Sequence, residues 1–315
     1  MNIDIYTVLY QFFCSRPGVV CTVTLLAMMI PVSSNICCLL FTRIADRLNS
    51  GDLHPATAGM FSILANLVIF LPLLALLWCM NNLLPHEIIY DYLLMLFCIE
   101  YSSVRSSVTD VSFQLRKEQL KKARRAAGFL LLRSTDTLSE MGVAKAVCES
   151  VVLHFLHGFF VPVFWYLLLG PTAAFISVLL VILSRAFSIK LRKNEYFGRV
   201  NSVLAKTVSA IPALVMYAML FFVTLNFNAF GRAVTHMRFH PCRLSGLLIG
   251  FTAEHLNISL GGPRIYQDEK IRYNRIGGKT DPAPVHVDRS YRMSRNSVLL
   301  SSACLLTYQL LHILI

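Results

Sequence analysis

From Gly59 to Met80 the chain carries Leu, Ile, Val, Phe and one Trp, and no charged side chain. A helix of about 20 such residues crosses the hydrocarbon core of a bilayer, where only helices and closed barrels satisfy every backbone polar group. Further apolar stretches run Val19–Phe41 (broken near Pro31), Ser150–Gly170, Ala173–Phe187, Val208–Leu225 (with Pro212 inside it) and Ser297–Ile315. Shorter apolar pieces at 84–101 and 245–256 bring the expected number of spans to between five and seven. The balance of 56% hydrophobic to 15% charged residues excludes an ordinary soluble domain, about a quarter of which is charged. It excludes disorder as well, which needs low hydrophobicity and high net charge. The expected fold is all-α: a polytopic helical membrane protein with a basic amphipathic cytoplasmic segment.

The charges that remain are unbalanced, 29 Lys and Arg against 17 Asp and Glu. Loops flanking membrane spans collect such cations as topology signals and as contacts to anionic lipid, so the expected partner is the bilayer and not nucleic acid. The excess is concentrated at 102–148, which holds Arg105, Arg116, Lys117, Lys121, Lys122, Arg124, Arg125, Arg133 and Lys145. Within it, Leu115, Leu120, Ala123, Ala127 and Leu131 recur at helical spacing and predict one amphipathic helix over Ser112–Leu132, lying along the cytoplasmic membrane surface. Thr137 to Glu140 matches a capping box and predicts a helix start. Gly170-Pro171 predicts a hairpin between two apolar stretches, and Lys190-Leu-Arg-Lys a return to the basic side. The chain divides by composition into N-terminal spans (1–101), the basic cytoplasmic segment (102–148), and further spans with a polar Gly-Gly-Pro loop (149–315). The nine cysteines form no CxxC pair and read as small hydrophobes. The N-terminus has no basic head or small-residue cleavage site, so the first apolar stretch is expected to stay.

Ionisable groups in apolar segments are costly and mark functional candidates. Glu149 stands at the start of the Ser150–Gly170 stretch, and His154 and His157 follow one turn apart. The two imidazoles suit either a metal or, more simply, hydrogen bonds to neighbouring backbone; no metal site is assigned. Leu260-Gly-Gly-Pro, with Arg264, Lys270, Arg272 and Arg275 after it, can bring backbone N–H groups close to an anion, or form an ordinary tight turn beside lipid headgroups.

Three blocks carry a resemblance to a known family. The first contains Asp110-Val, Leu115-Arg116, Leu120, Arg124 and Arg133-Ser-Thr-Asp-Thr-Leu. It continues through Gly142-Val-Ala-Lys-Ala-Val-Cys-Glu149-Ser-Val and Gly158-Phe-Phe-Val-Pro162 to Gly170-Pro171. The second is Lys190 with Phe197-Gly198 through Ile211-Pro212-Ala213, and the third is Leu260-Gly-Gly-Pro263, Tyr266 and Ile276-Gly277. In order and spacing they resemble the CobD/CbiB family of membrane proteins, over about residues 100–315. The N-terminal third matches poorly and keeps only Pro31-Val32.

The resemblance implies ATP- and magnesium-dependent formation of an amide bond, joining adenosylcobyric acid, a corrinoid, to aminopropanol or its phosphate, at the inner membrane of the cell. It implies catalytic roles for Glu149, Arg133 and Thr135, and substrate contacts from Gly261, Gly262, Pro263, Tyr266, Arg116, Arg124 and Lys190. Arg133, Thr135, Glu149 and the Gly261–Pro263 turn are expected to line one polar cavity. The sequence also departs from the family pattern. His154 and His157 stand where the family has Glu-Asn-x-x-Asp, Ser184-Arg185 where it has Asp-Ser, and Ala205-Lys206 where it has Asp-Asp. These replacements remove carboxylates that hold magnesium and set cations at or beside their places. Two readings follow. One is a divergent synthase that draws its acids from Asp110, Asp136, Glu149, Glu254, Asp268 or Glu269. The other is a non-catalytic relative similar to AmpE, a membrane signalling modulator of the same superfamily, which needs no cofactor.

Overall fold

A computed structural model describes residues 5–30, 41–43, 47, 55–131, 134–189, 194–266, 269–271 and 273–314. It is helical almost throughout. In chain order the helices are α1 (Ile5–Phe13), α2 (Arg16–Met29), α3 (Pro55–Leu83), α4 (Glu87–Cys98), α5 (Ser102–Arg116), α6 (Leu120–Gly128) and α7 (Glu140–Phe155). A π-helical turn (Leu156–Phe160) leads into α8 (Val161–Leu169), followed by α9 (Pro171–Ala186), α10 (Arg199–Val208), α11 (Ala210–Thr224), α12 (Phe227–His236) and α13 (Arg243–Leu256). Four three-residue strands, β1 (Ser259–Gly261), β2 (Arg264–Tyr266), β3 (Glu269–Ile271) and β4 (Arg275–Gly277), precede α14 (Pro284–Leu314).

By packing, the chain forms two compact units: residues 1–99 with 161–208 and 302–315, and residues 100–160 with 209–301. In the first, Ser15 caps α2 by accepting the Gly18 amide at 3.2 Å. Arg16 donates to the carbonyls of Leu167 (3.0 Å) and Leu168 (3.4 Å), satisfying acceptors left open at the end of α8. The expected hairpin is present: Gly170, at φ 93°, ends α8, and Pro171 opens α9 against it. Ala65, Ile69, Leu179, Leu183, Phe187 and Phe197 form a buried cluster. Most other apolar side chains of α3 point outward.

In the second unit the expected single helix over Ser112–Leu132 is two. Glu118 takes a left-handed conformation (φ 57°), and the Gln119 amide bonds back to the Gln114 carbonyl. That closes α5 and starts α6 in a new direction. The apolar positions Leu115, Ala123 and Ala127 are buried within the protein, so they do not face lipid as an amphipathic surface helix would. The cap of α7 is Ser139, which accepts the Gly142 amide at 3.1 Å, and not Thr137. Ser150 Oγ (2.7 Å) and His154 Nε2 (3.0 Å) both reach the Leu130 carbonyl, tying α7 to the end of α6. The apolar piece at 245–256 lies in α13, a core helix. A Cβ on Gly246 would come within 2.6 Å of the His240 Cβ, and one on Gly250 within 2.9 Å of the His236 Cβ. Across the same contact His236 Nε2 and Glu254 Oε1 are 2.8 Å apart.

Among the described residues two helical stretches, Thr57–Leu83 and Glu140–Leu169, are long and apolar enough to cross a membrane. A third joins them if Arg199–Val208 and Ala210–Thr224 count as one broken span. This is fewer than the expected five to seven, because breaks divide the apolar runs. Arg16–Met29 and Pro171–Ala186, 14 and 16 residues long, fall short of the roughly 20 a span needs. The last expected span, Ser297–Ile315, falls in the second half of α14 as far as Leu314; Ile315 is outside the described residues.

Candidate functional site

The region after α13, read from sequence as a Gly-rich loop, is an antiparallel ribbon. Asn257, in the left-handed conformation, ends α13. β1 then pairs with β4 in the register Ser259↔Gly277, Leu260↔Ile276, Gly261↔Arg275, and β2 pairs with β3. Gly261, the last residue of β1, and Gly262, which follows it, lie at φ 76° and 88°, a conformation that side chains rarely adopt. A Cβ on Gly261 would also sit 2.2 Å from the Asn274 carbonyl oxygen. The turn therefore requires glycine for space as well as for its dihedral angles.

Glu149 of α7 is buried beneath this turn. Its Oε1 accepts the Gly261 amide at 2.6 Å, and its Oε2 lies 2.9 Å from Nη2 of Arg264 in β2. The Arg264 guanidinium stacks on the Tyr273 ring, 4.4 Å from its centroid. Lys145, one turn before Glu149, brings its ammonium to 3.3 Å from where a Cβ of Gly262 would be. Among the described side chains one carboxylate thus stands with a backbone amide, a guanidinium and an ammonium, and their balance is positive. Both glycine amides are engaged, Gly261 by Glu149 and Gly262 by the Asn274 carbonyl at 3.3 Å. The turn is therefore not an open anion cradle of backbone N–H groups. The side chains of Lys145 and Arg264 supply its positive charge.

The other expected residues are distributed more widely. Thr135 lies in the α6–α7 connection beside Gly128, and its carbonyl accepts the Leu138 amide at 3.2 Å. Arg124 Nε donates to the Leu138 carbonyl at 2.8 Å. Arg116 pairs with Asp288 of α14. Tyr266 stands in β2 opposite Glu269. Arg133 and Lys190 are outside the described residues. Glu149 and the Gly261–Pro263 turn are thus brought together, while Thr135, Arg124 and Arg116 make contacts elsewhere in the unit. Sequence reasoning did not pair Arg264 with Glu149 or single out Tyr273. Lys145 was available from its spacing, four residues before Glu149 in the block that carries the resemblance.

The described residues do not fit a magnesium ion. Both Glu149 oxygens already have donors, and among the described residues no three His, Cys, Asp or Glu side chains converge. Of the possible replacement acids, Glu254 faces His236 and Arg232, Asp110 and Asp136 are exposed, and Asp268 is outside the described residues.

The family model described as CobD/CbiB protein matches residues 24–294. The chain belongs to the CobD/CbiB family. Among its relatives, the cobalamin biosynthesis protein CobD of Stutzerimonas stutzeri is 24% identical over 259 residues, covering 79% of this chain and 83% of that protein. The protein of the same name from Leptospira interrogans is 27% identical over 230 residues, 71% of this chain and 70% of its own. A CobD relative from Thermoplasma volcanium is 23% identical over 167 residues, and the match spans about half of each chain, 53% and 54%. No solved structure matches. The match begins inside α2, so the family pattern extends further toward the N-terminus than the three sequence blocks reach.

Proposed function

We propose that this CobD/CbiB-family protein acts in cobalamin biosynthesis as a multi-pass protein of the inner membrane. Its substrate site is built on the Glu149–Gly261–Arg264 junction, where ATP would drive amide formation between the carboxylate of adenosylcobyric acid and the amine of aminopropanol or its phosphate, one carboxylate oxygen leaving with the phosphate cleaved from ATP. The observation that carries this reading is the junction itself. Two of the family-like blocks, 112 residues apart in sequence, meet through a buried carboxylate and an amide that only a glycine turn can present. A carboxylate substrate is chemically suited to the positive side of this junction, which Lys145 and Arg264 supply and where Glu149 orients the Arg264 guanidinium. Glu149 is in this reading a positioning residue. Because the acids present do not suit magnesium, no step is assigned to that ion.

That same misfit favours a second reading, a family member that binds its corrinoid ligand without turnover. Purified protein in lipid nanodiscs, given ATP, magnesium, adenosylcobyric acid and aminopropanol phosphate, separates the two. Amide product that disappears in Arg264→Ala supports the synthase. No product, with corrinoid binding retained and no rescue of a strain lacking its synthase, supports the second. Neither product nor corrinoid binding overturns both.

A further inference from the structure

The α6 helix turns its apolar side inward and leaves a cationic stripe outside. Ala123, Ala126, Ala127 and Leu130 are buried, while Lys121, Lys122 and Arg125 are exposed. Lys121, Arg125 and Phe129 are spaced by four, so they line one face, and Phe129 is 64% exposed at its end. Arg124, on the flank, is engaged with the Leu138 carbonyl. The acids nearest in sequence are Glu118 before the helix and Asp136 and Glu140 after it, none of them on the stripe. The end of α6 is bound at the Leu130 carbonyl to Ser150 and His154 of α7, within the Glu140–Leu169 stretch that can cross a membrane.

We infer that Lys121, Lys122, Arg125 and Phe129 form a docking face for the anionic headgroups of the bilayer in which the protein sits. The contact is made by the polar face of the helix and not by insertion of its apolar side, which the protein core already occupies. Charge complementarity identifies the partner, and the exposed Phe129 separates it from a soluble polyanion, because an aromatic ring beside cations gains from the headgroup–acyl boundary and not from water. Cations near an anionic surface each contribute roughly a fivefold increase in local binding, so three are worth about two orders of magnitude. The inference rests on the membrane assignment and is independent of catalysis.

The test introduces Phe129→Trp into the full-length protein in nanodiscs and reads the added emission after subtracting that of the parent, which carries Trp78 and Trp165. Brominated phosphatidylglycerol should quench the added emission roughly twofold, and brominated phosphatidylcholine much less. The quenching should be lost near 1 M salt, where the screening length falls to about 3 Å. It should also be lost in Phe129→Trp combined with Lys121→Glu, Lys122→Glu and Arg125→Glu, with unchanged circular dichroism and melting showing that the variant is folded. Equal quenching by both lipids, no quenching by either, or full quenching in the glutamate variant would overturn the inference. So would tripolyphosphate producing in phosphatidylcholine discs the same spectral change as the anionic lipid.

Discussion

In α3, Met60, Leu67, Val68, Leu71 and Trp78 are between 49 and 72% exposed, whereas in α13 Leu247, Leu248, Ile249 and Phe251 are 2% exposed or less. Both segments are apolar, and hydropathy alone reads both as possible spans. Small-residue spacing tells them apart. Gly246 and Gly250 give α13 a smooth face that lets α12 approach to contact distance, while Gly59 of α3 has nothing within 4 Å of its absent side chain. An apolar helix whose glycines meet a neighbour is packed against protein. One whose glycine meets open space keeps an outward apolar surface, of the kind a lipid-facing span needs.

The widest contrast lies between removing a charge from the packed unit and adding one to the exposed helix. Glu149→Ala removes the buried carboxylate that holds both the Arg264 guanidinium and the Gly261 amide, and the expected loss is about 3–5 kcal/mol in detergent unfolding. The double change Glu149→Leu with Arg264→Leu should recover most of it, and a single variant as stable as the parent would break the comparison. Leu67→Arg, on the outward face of α3, should cost about 2.5–3.5 kcal/mol in membrane-insertion efficiency if that face meets lipid. An effect near zero would place α3 in water. Gly250→Ala should cost about 1–3 kcal/mol through the clash with His236, whereas Gly59→Ala should stabilise by up to ~1 kcal/mol in paired melting curves. Equal effects would remove the distinction between the two helices.

The smallest expected effect is a pH dependence at the start of α14. The Ala283 amide donates to His286 Nδ1 at 3.0 Å, which requires a neutral ring. Burial first, and then the charge of Arg289, hold the imidazole below its ordinary value of 6.5. The folded state therefore binds this proton less readily than the unfolded one. The stabilisation is present above pH 6.5 and declines as the pH falls through 6.5 toward the lower folded value. Protection factors over residues 283–290, corrected for the intrinsic pH dependence of amide exchange, should fall from pH 7.5 to pH 5, and His286→Gln should flatten that dependence.

Much of the helical framework was legible because its signals are local. Gly170-Pro171 announces a hairpin within two residues, and the mixed pattern after Leu84 becomes α4. The break at Glu118 was not legible, because its left-handed backbone falls on a residue with no conformational preference for it. The cap was misplaced by two residues, Thr137 for Ser139, since both hydroxyls precede the same acidic helix start. In the site, the glycine pair and Glu149 each stood out, but their partnership with Arg264 did not. Three-residue strands leave no periodic pattern, and a contact spanning 112 residues has no local signature. The small-residue spacing of Gly246 and Gly250 was present in the sequence, and only the close approach of α12 gave it meaning.

The separation of Glu149 from its partners also imposes an order on biogenesis. Ribosomes add about 5–20 residues per second, so roughly 6 to 22 seconds elapse between emergence of this carboxylate and emergence of the Gly261 amide 112 residues later. For that interval an acidic side chain sits in a segment apolar enough to enter the bilayer, with none of its eventual ligands yet made. Nascent chains halted before Gly261 should therefore hold α7 poorly in the membrane, and chains released beyond Arg264 should lock it in place.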